Sequence, residues 1–170
     1  NLAYAPGSRE RDDVKTRLAL MAAETVDIPL VIGGKEVRTG TLGKAVMPHK
    51  HAHVLATYHK GSADHARQAI DAALAARREW ASWPFEDRAA VFLKAAELLT
   101  TTWRSTLNAA TMLGQSKTIF QAEIDAASEL VDFWRFNVAF AQELMAEQPD
   151  STHAVWNQME YRPLEGFVYA

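Results

Sequence analysis

The sequence predicts a helix-rich α/β segment, and three observations predict it. Residues 29–60 hold short apolar runs punctuated by Pro29, Gly33-Gly34 and Pro48, the pattern of short strands. Residues 61–148 are dominated by apolar positions three and four apart, the spacing of amphipathic helices. Residues 164–170 form an apolar run with no cap or charge after Gly166, which reads as the opening of a buried strand.

Each element can be justified in order. Residues 1–7 read as a loose arm. Ser8 is a candidate N-cap for a helix from Arg9 to Glu24, with Val14, Leu18 and Met21 on one face. Pro29 ends helical character. Leu30–Ile32 and Glu36–Arg38 flank Gly33-Gly34-Lys35 as a short hairpin. A second extended stretch runs from Lys44 to Tyr58, broken near Pro48. Ser62 is an N-cap candidate for a helix to Trp80, whose Ala66, Ala69, Ile70, Ala73 and Leu74 share a face. Pro84 suits the first turn of the next helix. That helix breaks at Thr100–Thr102, because β-branched residues are weak helix formers. A helix with Trp103, Leu107 and Ala110 follows, with Gly114 as its expected stop.

Thr118 and Gln121 fit a capping box, in which cap and third residue satisfy each other's free backbone N–H groups. The helix they open is expected to run unbroken to Gln148. Phe120, Ile124, Ala127, Val131, Trp134, Val138, Ala141 and Met145 form a straight seam along it. Leu130, Phe133, Phe140 and Leu144 add a second apolar row, so the helix is expected to be largely buried. Residues 149–154 are a polar link and Val155–Arg162 an extended segment. The chain starts at Asn1 and stops inside an apolar run, and it reads as the N-terminal part of a longer protein.

Composition narrows the function classes. Apolar residues make up 48% and charged residues 23%, globular proportions that exclude a disordered chain. A net charge of -3 argues against nucleic acid as the partner. No apolar run approaches the ~18 residues of a spanning helix, so no membrane span is expected. With no cysteine, the chain has no disulfide, no thiolate metal ligand and no cysteine nucleophile of its own.

Few residues suggest chemistry. Asp125, Glu129 and Asp132 stand in one helical column, and like charges at this spacing repel by roughly 0.2–0.5 kcal/mol per pair. Either the column is a solvated face paired with bases elsewhere, or one carboxylate faces a site and meets a cationic group. Glu129 is the best candidate, because Phe133 and Phe136 neighbour it at i+4 and i+7; Asp132 has Arg135 at i+3 for a local pair. His49, His51 and His53 alternate and would share a strand face, but with no acid between them they read as polar surface, and no metal site is assigned. Trp80, Trp83, Trp103 and Trp134 lie on or beside apolar helix faces and read as core. The phosphate-loop, Rossmann and hydrolase motifs are absent.

Several stretches resemble the aldehyde dehydrogenase superfamily. They are Ala72-Ala73-Leu74-Ala75-Ala76 with Trp80, Asp87-Arg88-Ala89-Ala90, Leu93–Leu99, and Tyr161-Arg162-Pro163-Leu164-Glu165-Gly166. Within the superfamily, the stretches 111–117, 121–127 and 132–137 are most similar to the L-glutamate γ-semialdehyde (1-pyrroline-5-carboxylate) dehydrogenases. The resemblance covers nearly the whole chain and is weakest over the first 30 residues. It implies an NAD-dependent, homo-oligomeric enzyme with a Rossmann-like cofactor domain, a catalytic domain carrying a cysteine nucleophile, and a β-flap. Its reaction would be oxidation of glutamate γ-semialdehyde to glutamate in proline catabolism, with a glutamate as general base.

The resemblance also implies a division of the chain. Residues 1–28 would be arm and helix, 29–60 a hairpin region and 61–148 helices of the cofactor-binding domain. Residues 149–162 would start the oligomerisation flap, and 163–170 the first Rossmann-like strand, leaving that domain incomplete here. The sequence ends before the family's Pro-Phe-Asn-Phe stretch, so the nucleophile, the base and most NAD contacts are expected beyond it. No catalytic or cofactor-binding residue is assigned, and the chain alone is expected to be inactive. Glu129 matches the family's glutamate beside the substrate channel, and Phe133 lies on the same face; both are expected to bind the aldehyde substrate. The compartment implied is the bacterial cytoplasm, which is favoured, or the mitochondrial matrix of a eukaryote. Another aldehyde dehydrogenase, or a non-catalytic helical interaction module, is the alternative.

Overall fold

The computed structural model describes residues 1–170. Helix α1 (Arg9–Ala23) follows an arm that is not loose: Tyr4 is buried in it. Ser8 stands at the N-cap, but its hydroxyl makes no capping bond. Strand β1 (Val26–Ile28) pairs in parallel with β5 (Lys50–His59), and β4 (Leu42–Met47) pairs antiparallel on the other side of β5. Between them, β2 (Leu30–Ile32) and β3 (Lys35–Val37) form the expected hairpin. Gly33 and Gly34 both take positive φ, +56° and +75°, which a two-residue turn matched to strand twist requires. Arg38, just past β3, bonds Asp27 of β1 at 2.9 Å and ties the hairpin to the larger sheet.

Helix α2 (Ala63–Ser82) starts at Ser62, where His65 completes the capping box. No residue of α2 is fully buried. Helix α3 (Phe85–Thr100) begins after Pro84 and stops at the threonine run as expected. Helix α4 (Arg104–Gln115) runs through Gly114 and ends on Ser116, which adopts the left-handed conformation with φ +56°. Gly114 is therefore not the stop. The Ser116 hydroxyl bonds His49 Nδ1 at 2.6 Å, fixing the cap to the turn between β4 and β5.

The long helix is not a single α-helix. It comprises α5 (Ile119–Ala122), a π-turn over Glu123–Ser128 and α6 (Glu129–Ala146). The capping box forms, with Thr118 N–H donating to Gln121 Oε1 at 2.9 Å. In the π-turn the Glu129 N–H reaches Ile124 O, five residues back, instead of four. The wider turn moves the buried stripe. It passes through Ala122, Glu123, Ala127 and Val131, while Phe120 and Ile124 of the expected seam are exposed. Ala96, Leu99 and Val131 form a buried cluster between α3 and α6, with Leu107, Leu130 and Trp134 packed on it.

Several burial expectations are corrected. Phe133, Phe140 and Leu144 are more than half exposed, so α6 is buried on one side only. Trp80, Trp83 and Trp103 are 40–56% exposed, so this chain covers these faces only in part. Trp80 and Trp83 cover each other instead, with ring centres 5.5 Å apart. Residues 163–170 form no strand, since no neighbouring strand is placed to supply its hydrogen bonds. The tail 147–170 is instead held by side chains: Gln148 exchanges two bonds with the Met159 backbone, Tyr161 Oη donates to Leu144 O at 3.1 Å, and Arg77 Nε donates to Leu164 O at 2.9 Å.

Candidate functional site

Two adjoining features lie on the π-turn and α6. The first is a groove of about 350 Å³ lined by Glu129, Asp132, Phe133, Phe136, Asn137 and Phe140. Three turns of α6 build it, because these positions recur at three and four residues and so share one face. Phe136 and Phe140 stack with their planes 20° apart and centroids at 6.1 Å. Phe133, Phe136 and Phe140 are each more than half exposed, an unusual density of aromatic surface on one helix. Glu129 and Asp132 border them, so the groove offers two carboxylates beside apolar ring faces. That combination suits a small organic molecule with a cationic group: the carboxylates attract the charge, and rings on one face attract it as well.

Glu129 and Phe133, the two residues expected to face substrate, are thus brought together in one groove. The acid column is divided by partners. Lys117 pairs with Asp125 and removes it from consideration. Asp132 forms no ion pair with Arg135, contrary to expectation; both lie on the exposed side of α6, where water competes for each charge. The histidines also separate. His49 sits in the β4–β5 turn and is engaged by Ser116, while His51 and His53 lie on β5. No group of three His, Cys, Asp or Glu side chains converges on a point that could hold a metal ion.

The second feature was not legible as a site. Glu123, the first residue of the π-turn, is 2% exposed. Its carboxylate accepts from Leu2 N at 2.6 Å, Tyr4 Oη at 2.8 Å, Asn108 Nδ2 at 2.9 Å and Arg104 Nε at 3.2 Å, with a second bond from the Arg104 Nη2. Asn108 Nδ2 also donates to Tyr4 Oη at 2.9 Å. Burial alone pushes the Glu123 carboxyl up, but the Arg104 guanidinium and the Leu2, Tyr4 and Asn108 donors together overcome it and hold the pKa down at about 2. Tyr4 moves the opposite way, to about 12, because burial and the adjacent carboxylate both oppose the phenolate. A carboxylate with this many donors is a structural anchor rather than a free base. The signal in the sequence was slight: Glu123 is the one acid of the helix whose i+3 and i+4 neighbours, Ala126 and Ala127, are both small enough to admit another helix.

The aldehyde dehydrogenase family model matches residues 37–170. The chain belongs to the aldehyde dehydrogenase family. A probable delta-1-pyrroline-5-carboxylate dehydrogenase of Schizosaccharomyces pombe is 53% identical over 98% of this chain. A mitochondrial delta-1-pyrroline-5-carboxylate dehydrogenase of Homo sapiens is 46% identical over 99%. The crystal structure of the Mycobacterium tuberculosis delta-pyrroline-5-carboxylate dehydrogenase bound with NAD superposes on 98% of the chain, with a TM-score of 0.95 and 50% identity. As a segment of an aldehyde dehydrogenase fold, the chain spans 30–31% of the length of these relatives. They come from a bacterium, a fungus and human mitochondria alike. No helix is long and apolar enough to cross a membrane.

Proposed function

We propose that this chain is part of an NAD-dependent dehydrogenase that oxidises L-glutamate γ-semialdehyde, formed from 1-pyrroline-5-carboxylate, to L-glutamate in proline catabolism. The observation that carries this reading is similarity along the chain: 46–53% identity to 1-pyrroline-5-carboxylate dehydrogenases, in alignments that cover 98–99% of it. The aligned stretch includes α6 and the groove, and the substrate reading rests on that similarity together with the fold. The groove agrees with it. Glutamate γ-semialdehyde bears an α-ammonium group, and Glu129 beside Phe133 offers that group an anionic and aromatic surface. Glu129 binds the ammonium end, Phe133 packs on the aliphatic part, and neither carries the chemistry.

The reacting groups lie elsewhere. This chain has no cysteine, so the nucleophile of the complete enzyme comes from other residues. Nor do its residues build a dinucleotide site. Its larger sheet has three strands with one parallel pairing, and no glycine-rich loop connects a strand to a helix start. NAD, which would take up the hydride, is therefore held mainly by residues beyond this chain, and the chain alone is inactive. Residues 149–162 are exposed along their whole length, which leaves their side chains open to a second subunit and suits the start of an oligomerisation flap.

The test is substrate discrimination in the complete protein, followed by NAD reduction. Glu129→Ala should lower kcat/KM for glutamate γ-semialdehyde roughly tenfold, the effect of losing one bond to a charged group. The same variant should leave kcat/KM for an uncharged aldehyde such as propanal within about twofold. Equal losses on both substrates would refute charge recognition by Glu129. Failure of the unaltered complete protein to oxidise glutamate γ-semialdehyde would refute the function itself.

A further inference from the structure

We propose that Glu123, clamped by Tyr4 and Arg104, is the positioning residue that aims Glu129 and Phe133 into the groove. This rests on the substrate role proposed above for Glu129, and deepens it. The argument starts from the π-turn. A π-turn is rarer and less stable than an α-turn, and persists only where surrounding contacts hold it. Here it begins at Glu123 and is closed by the bond from the Glu129 N–H to Ile124 O. The residue that opens the turn is buried and fixed by donors from two separate parts of the chain, the arm and α4, with two residues from each. The residue that closes it, Glu129, carries one of the groove's two carboxylates.

The geometry makes the two ends interdependent. Adding one residue to a helical turn rotates everything after it by about 100°, since that is the angle per residue at 3.6 residues per turn. If residues 123–128 relaxed to α-geometry while Glu123 stayed anchored, the face of α6 carrying Glu129, Phe133, Phe136 and Phe140 would rotate toward α3. If α6 stayed packed through Val131 on Ala96 and Leu99, Glu123 would leave its donors. The clamp and the α3–α6 contact can be satisfied together only with the π-turn in place. Tyr4 completes the clamp from 119 residues away, in a backbone conformation with φ +49° that few non-glycine residues adopt. Arg11 holds that conformation by donating to Tyr4 O at 3.2 Å. The arm is therefore a strut of the substrate groove.

The test uses the complete protein and two variants, Tyr4→Phe and Glu123→Gln. Tyr4→Phe removes one donor and keeps the ring, so it folds even if Glu123→Gln does not. The first readout is amide hydrogen exchange. Tyr4→Phe should speed exchange at residues 124–129 on the order of tenfold, the effect of losing one bond to a charged group, with α2 unchanged. The second is the ratio of kcat/KM for glutamate γ-semialdehyde to that for propanal. It should fall several-fold through KM, with kcat for propanal retained; a merely destabilising change would not move this ratio. Combined with Glu129→Ala, Tyr4→Phe should lower the ratio no further. Unchanged exchange at 124–129, or an unchanged ratio in a background where Glu129→Ala does lower it, overturns the positioning role. If Glu129→Ala itself leaves the ratio unchanged, the substrate role of Glu129 falls, and the positioning role falls with it.

Discussion

Replacing Glu123 by Gln should make the protein less stable at neutral pH and much less so in acid. The sign follows from the direction of the shift. The folded-state pKa of Glu123 is depressed from 4.5 to about 2, so the native state favours the carboxylate. Its contribution is fully present above pH 4.5, where the unfolded chain is also ionised, and is lost as pH falls from 4.5 toward 2. At about 1.4 kcal/mol per pKa unit, the shift corresponds to roughly 3 kcal/mol, of which about 2 is gone by pH 3. Gln has nearly the same shape and cannot ionise, so it stands in for the protonated acid at every pH. The assay is urea unfolding of the complete protein and its Glu123→Gln variant at pH 6 and pH 3, followed by circular dichroism. The free-energy gap between them should narrow by about 2 kcal/mol from the higher pH to the lower. A gap that is the same at both pH values would show that Arg104, Tyr4, Asn108 and Leu2 hold Glu123 by shape and not by charge, and would refute the reasoning.

Other expectations concern the supporting structure. Gly43 lies opposite Tyr58 in the β4–β5 register, and a Cβ there would sit 2.3 Å from Tyr58 Cζ. Gly43→Ala should cost about 1 kcal/mol, because the half-exposed ring can swing away, and should cost almost nothing in a Tyr58→Ala background; thermal melts of the four proteins decide it. Thr118→Ala removes the N-cap of α5 and should cost about 1 kcal/mol, with faster exchange at Gln121 and Ala122, read by amide exchange. An unchanged exchange rate there would mean that the anchored π-turn, not the cap, starts this helix.

Much of the local structure was legible because local rules decide it. Gly33-Gly34 dictates a tight turn, whatever lies around it, since the turn needs positive φ twice. Ser62 and Thr118 open helices through bonds that span three residues. The break after Thr100 is likewise local. The groove residues Glu129 and Phe133 could be paired in advance, because positions four apart on a helix must share a face. Where the expectations failed, the decisive partner was distant. The arm reads as loose because no local pattern marks Tyr4 as buried; the partners of its hydroxyl are the distant Glu123 and Asn108. Trp80, Trp83 and Trp103 read as core because apolar spacing reports the face that should be covered, not whether a cover is at hand; Trp134 does pack on the core.

By itself, then, the sequence determined the order and kind of most elements, the family, and which residues share the exposed face of α6. These follow from spacing, caps and turns, each set within a few residues along the chain. Only the tertiary structure decided which acid of the helix is buried. Glu123 and Asp125 are two residues apart and equally charged, yet one is sealed among four donors and the other pairs with Lys117 at the surface. Burying a carboxylate costs several kcal/mol unless donors meet it, and those donors come from the arm and from α4. The π-turn is a consequence of that meeting. A helix whose local sequence favours α-geometry is held one residue wider, because an anchored charge on one side and a packed seam on the other must both be satisfied.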